Sequence, residues 1–175
     1  MTRNLQKVPY GYVPPVETTK GTLIYYDPFE EIGREQGLSQ AVQVKTEQAF
    51  QRLVLYPLHE QTMKRMYKRE GTSFYKREHA LQDWIQEQGR EDIELDAWEG
   101  KRKKYVPIEA ALRHLTEKNP APYFLLVSGA TANAFASYHV FQEWIVKIRL
   151  LLLDEPVSLH PRLQQYDSRW SRITL

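Results

Sequence analysis

Apolar positions along the chain recur mostly at helical spacing. Behind Ser39, a capping residue, Val42, Ala49, Phe50, Leu53 and Val54 return every three or four positions and predict a helix over residues 40–70. Pro57 lacks the amide that would bond back four residues, so this helix is expected to kink near Tyr56. Leu58, Met63, Met66 and Tyr67 carry its apolar face on to Gly71. Thr72 or Ser73 caps a second helix holding Phe74, Leu81, Trp84 and Ile85, and Gly89 stops it. Pro107 suits the first turn of a third, through Ile108, Ala111, Leu112 and Leu115, which Asn119-Pro120-Ala121-Pro122 ends.

The longest apolar pattern starts at Ser128 or Thr131 and takes in Ala134, Phe135, Tyr138, Phe141, Trp144, Ile145, Ile148 and Leu152. It predicts a helix over residues 131–153 that is apolar around most of its circumference and therefore central. A last short helix enters at Pro161 with Leu163, Tyr166, Trp170 and Ile173 turned inward.

Strand patterns are fewer. Thr22 to Tyr26 reads as a short N-terminal strand ended by Asp27-Pro28, and Tyr123 to Val127 fits either a strand or a buried helical turn. Ile93, Leu95 and Ala97 alternate, cross Glu99-Gly100 and return through Lys101 to Tyr105, which predicts a β-hairpin at about 92–106. In it Asp96 faces Lys103, Trp98 faces Lys101 and Glu94 faces Tyr105. Pro9, Gly11, Pro14, Pro15 and Gly21 break both helix and sheet, so residues 1–22 are expected as an extended Pro/Tyr arm. The fold class expected is thus mainly α: one compact domain over 23–175, with about five helices around the 131–153 helix.

Size and composition fit that picture: 175 residues suffice for one core without staples. The absence of cysteine excludes disulfides, thiolate metal sites and cysteine nucleophiles. The apolar run from Ile145 to Leu153 is broken by Lys147 and Arg149 and falls short of the roughly 20 residues of a spanning helix, so no membrane partner is expected. Met1 to Pro9 lacks the apolar stretch of a secretory signal, which makes cytoplasmic residence the expectation.

Net charge is only +2, so the distribution matters more than the total. Lys64, Arg65, Lys68, Arg69, Lys76 and Arg77 interleave with Tyr67, Phe74 and Tyr75, and Lys101, Arg102, Lys103 and Lys104 precede Tyr105. Folded onto one face, the cations would neutralise phosphates and the rings would stack on bases. The function expected is a non-enzymatic binding protein contacting nucleic acid through this face. The alternative is a protein adaptor or assembly subunit, using Tyr10 and Tyr12 of the arm and Trp170 of the tail. Ordinary solvated helix ends explain the same cations.

No cofactor is expected. Asp96, Glu99 and Lys101 suggest a remote metal-dependent hydrolase, but their spacing is poor. The pairs His139 with Glu143 and His114 with Glu117 can each share a helix face without forming a recognised metal signature. Ser128-Gly129-Ala130-Thr131, between an apolar run and a helix, offers amides and hydroxyls to an anion. It lacks the second glycine and lysine of a P-loop, and Ser128 also reads as an ordinary helix cap.

Overall fold

The computed structural model describes residues 20–174. These residues build an α/β fold rather than a mainly α one. Six parallel strands, β1 (Lys20–Asp27), β2 (Phe50–Pro57), β3 (Ile93–Leu95), β4 (Tyr123–Val127), β5 (Ile148–Leu152) and β6 (Trp170–Arg172), lie in the order β3-β2-β1-β4-β5-β6. Eight helices connect them: α1 (Arg34–Glu47), α2 (Glu60–Tyr67), α3 (Phe74–Gln88), α4 (Trp98–Arg102), α5 (Ile108–Lys118), α6 (Gly129–Ser137), α7 (Phe141–Ile145) and α8 (Pro161–Gln165).

Both faces of the sheet are covered, and alternate residues of each strand enter opposite cores. Ile24, Tyr26, Val54, Tyr56, Leu125 and Leu150 pack with Leu112 of α5, Phe135 of α6 and Phe141 of α7. Leu23, Tyr25, Leu53, Leu55, Leu126 and Leu151 pack with Leu38 and Val44 of α1 and Leu81 of α3. A strand buried on both faces reads as a continuous apolar run, without the alternation that marks a half-exposed strand. This is the physical reason for the largest correction to the sequence expectation.

Residues 40–70, expected as one kinked helix, are α1, a tight turn at Ala49 (φ 55°), β2 and α2. Pro57 ends a strand and does not kink a helix. The expected central helix over 131–153 is three elements, α6, α7 and β5, and its all-round apolarity reflects three differently oriented buried pieces. The hairpin at 92–106 is replaced by β3 and α4, because the Asp96 side chain accepts the Trp98 amide (3.1 Å) and turns the chain into a helix. Glu99, expected in its turn, is fully buried on α4.

Other expectations hold. The strand at Thr22 to Tyr26 is the middle of β1, Ser73 caps α3, Gly89 stops it in a left-handed conformation (φ 62°), and α5 begins after Pro107. Of the expected arm, residues 1–19 lie outside the described residues, while Lys20, Gly21 and Thr22 belong to β1.

Candidate functional site

In an open sheet of this order the connections leave β1 toward one edge and reach β4 toward the other, so the carboxyl ends of these two neighbours open a crevice at the reversal point. Here β1 delivers Asp27-Pro28-Phe29-Glu30, and β4 delivers Ser128 and the start of α6. The resulting cleft, of about 700 Å³, is lined by Asp27, Glu30, Met66, Tyr67, Arg69 and Ser128 among others. A second lobe of about 440 Å³ shares Asp27, Glu30, Ile32 and Ser128 and extends to Arg34 and Gly37 of α1, and to Asp154 and Arg172.

Several interactions fix these walls. Ser128 caps α6 by accepting the Thr131 amide (3.1 Å), and the Thr131 hydroxyl meets Tyr67 Oη at 2.5 Å, tying α2 to α6 across the cleft. Glu30 accepts both the amide (2.9 Å) and the hydroxyl (2.7 Å) of Thr72, which draws the segment between α2 and α3 against the β1 loop. Arg77, with only 1% of its surface exposed, donates to the carbonyls of Pro28 (2.6 Å), Leu58 (2.5 Å) and Thr72 (2.9 Å), and to Glu60 (3.3 Å). One guanidinium thus sets the carboxyl-terminal loops of β1 and β2 relative to each other.

The electrostatics of the cleft are mixed. Burial pushes the Asp27 carboxyl up to about 6, against the lowering effect of the Phe29 amide (2.8 Å) and of the charges on Arg69 and Arg77. Glu30 and Asp154 add two further carboxylates. Arg69 forms no ion pair with another described residue, and its guanidinium stands 5.5 Å from the centre of the Tyr67 ring. It is the cation most available to an anionic ligand.

Of the basic and aromatic residues singled out in the sequence, Tyr67 and Arg69 line this cleft. Lys64 and Arg65 are exposed on α2, Lys68 follows it in a left-handed conformation, and Lys76 is exposed on α3. Tyr75 is 66% exposed and rests on His79, with ring centres 4.3 Å apart. Lys101, Arg102, Lys103 and Lys104 are exposed in and after α4. The two basic segments meet where Arg65 lies over Tyr105 at 4.7 Å. Arg77 does not belong to that surface, since its guanidinium is consumed by backbone carbonyls and carboxylates. Trp170, expected on the last helix, is the first residue of β6 and donates to the Leu163 carbonyl (2.7 Å), while Tyr10 and Tyr12 lie outside the described residues.

The two carboxylates grouped with Lys101 do not converge: Asp96 is held by His114 (2.8 Å) and the Trp98 amide, and Glu99 accepts from the His59 amide (2.9 Å) and the Thr62 hydroxyl (2.7 Å). Among the described residues no group of three or more His, Asp or Glu side chains is placed to hold a metal ion. No helix among them is long and apolar enough to cross a membrane.

Asp27, Glu30 and Asp154 escaped the sequence reading, which used Asp27-Pro28 only as a strand terminator. The signal that finds them is positional: they lie at or just beyond the carboxyl ends of β1 and β5, and only the strand order gives that position meaning.

No protein-family profile matches the chain, and no curated protein does. Among solved structures it is similar to a Vibrio parahaemolyticus protein provisionally described as a nicotinate-nucleotide adenylyltransferase. The superposition covers 84% of this chain and 85% of that one, with a TM-score of 0.55 and 13% sequence identity. At that identity the likeness is one of fold. The shared architecture, that of a protein named as an enzyme, overturns the expectation of a non-enzymatic nucleic-acid-binding protein or adaptor. That expectation rested on a helical domain displaying a basic face. The sheet instead directs attention to its switch-point crevice.

Proposed function

We propose that this chain binds a nucleotide in the crevice between β1 and β4 and that its reaction class is nucleotidyl transfer. The observation that carries this reading is the juxtaposition, at the point where the strand order reverses, of a cleft of about 700 Å³ with the start of α6 and the Arg69 cation. The adenylyltransferase name of the structural neighbour supports the reaction class. In that chemistry an oxygen of the acceptor attacks the α-phosphorus of a nucleoside triphosphate. The bond to the bridging oxygen breaks and pyrophosphate leaves with its electron pair.

The protein's part in such a step is positioning and charge stabilisation. Arg69 neutralises phosphate charge, the Ala130 amide at the start of α6 donates to a phosphate oxygen, and the two lobes hold nucleotide and acceptor on either side of Asp27 and Glu30. The cytoplasmic residence expected from the sequence accords with a substrate of this class.

The test is calorimetric titration of the full chain with MgATP, paired with a pyrophosphate-release assay in which nicotinate mononucleotide is the acceptor. The reading expects saturable ATP binding that weakens about tenfold in Arg69→Ala, the loss typical of one charge-assisted contact. Absence of ATP binding, or binding indifferent to Arg69, would refute it. ATP binding without pyrophosphate release would refute the reaction class alone.

A further inference from the structure

The loop after β5 is seated on the first turn of α6. Asp154 Oδ1 accepts the Gly129 amide at 2.6 Å, inside the lobe that Asp154 and Ser128 both line. Gly129 has no room for a side chain, because a Cβ there would stand 2.5 Å from Pro156 N and 2.7 Å from the Glu155 carbonyl carbon. Asn133, one turn further along α6, pins the same loop twice, donating to the Ser158 carbonyl and accepting the His160 amide (3.0 Å). The chain therefore presses a loop of its own against the crevice wall and inserts a carboxylate where the α6 amides point.

Capping does not require Asp154. Ser128 already caps α6 through the Thr131 amide, and the Asp154 side chain is solvent-exposed, so it has no burial cost to relieve. What the contact changes is the charge offered to a ligand. The lobe presents Asp27, Glu30 and Asp154 against Arg34 and Arg172, and these cations are partly engaged, Arg34 with the Phe29 carbonyl (3.2 Å) and Arg172 with Glu155 (4.0 Å).

We propose that Asp154 is an affinity- and specificity-determining residue of the crevice, a built-in competitor that holds the position of a ligand phosphate at the start of α6. The proposal rests on the nucleotide-binding reading and deepens it. A phosphate reaching the Gly129 amide must displace this carboxylate, and one approaching nearby is repelled by it. An uncharged nucleoside encounters neither obstacle. The crevice thus discriminates against unchelated polyphosphate and in favour of ligands that bring a neutral group, or a charge masked by a cation, to this point.

The test is calorimetry on the wild-type full chain, Asp154→Ala and Asp154→Asn, titrated in magnesium-free buffer with ATP, inorganic pyrophosphate and adenosine. The expected result is that pyrophosphate and ATP bind about tenfold tighter to both variants, the effect of removing one screened like charge, while adenosine is unchanged. The Asn variant keeps an oxygen able to accept the Gly129 amide, so a shared gain identifies charge and not loop release as the cause. Phosphate affinities within twofold of wild type in both variants would overturn the proposal and leave the nucleotide reading standing. A parallel gain for adenosine would also overturn it, by assigning the effect to loop opening. Failure of all three proteins to bind ATP would overturn both.

Discussion

Glu99 permits a prediction whose magnitude follows from its surroundings. The side chain is fully buried on α4, with Oε1 accepting from the His59 amide and the Thr62 hydroxyl, while Oε2 has no hydrogen-bond partner. Burial raises its carboxyl from the ordinary 4.5 to about 7, outweighing the lowering by those hydrogen bonds and by the Arg77 charge. Below pH 4.5 the carboxyl is protonated whether the chain is folded or unfolded, and its ionisation costs nothing. From pH 4.5 to 7 the unfolded chain ionises while the folded one keeps its proton. Stability then falls by ~1.4 kcal/mol per pH unit, about 3 kcal/mol in total, before levelling off.

Glu99→Gln removes this titration. The amide oxygen keeps both donors, and the amide nitrogen replaces the unpartnered Oε2 beside Tyr56, whose hydroxyl also lacks a partner. Urea denaturation of wild type and variant at intervals from pH 4 to 8 isolates the effect, since every other group cancels in the difference. The variant is expected to gain about 3 kcal/mol over wild type between pH 4.5 and 7.5. A difference constant to within ~1 kcal/mol over that range would refute the reasoning.

Further predictions follow from other parts of the molecule. Arg77→Met strips the loops after β1 and β2 of their shared donor and leaves Glu60 and three carbonyls unserved, so urea unfolding should show a loss of about 3–5 kcal/mol, and a loss below ~1 kcal/mol would contradict the role given to it. Gly129→Ala forces a Cβ into the backbone of the β5 loop and should lower stability by about 1–3 kcal/mol on the same assay, whereas an unchanged midpoint would deny the close approach. ATP affinity in wild type should rise relative to Asp27→Asn as pH falls through 6, because protonation of Asp27 removes a repelling charge, and parallel pH profiles in titrations would contradict this. Charge reversal of Lys101 to Lys104, exposed and away from the crevice lining, should leave ATP affinity within about twofold, and a larger loss would return the basic segment to the site.

How much of this was legible in the chain depends on the signal each element carries. Helix ends announced themselves where a side chain or a backbone conformation does the work: Ser73 and Gly89 bracket α3, Pro107 opens α5, and Ser128 caps α6 as its hydroxyl suggests. β1 was readable because Thr22 to Tyr26 is β-branched and aromatic and Asp27-Pro28 ends it. β2 and β5 were not, because Leu53-Val54-Leu55 and Leu150-Leu151-Leu152 are buried on both faces, and such runs satisfy helical and extended periodicity alike. Losing those two strands removed the parallel sheet, and with it the switch point that gives Asp27, Arg69 and Ser128 a common address. Cation density drew attention to residues 64–77, yet Arg69 and Arg77 differ from their exposed neighbours only in what the fold places around them.

The central claim is that the β1/β4 crevice is where this protein meets a nucleotide. The most direct measurement is a titration of the isotopically labelled chain with MgATP followed by amide chemical shifts. The account predicts saturable shifts concentrated at Asp27, Phe29, Arg69, Gly129 and Ala130 with little movement at Lys101 to Lys104. Shifts centred on the basic segment, or none anywhere, would contradict it.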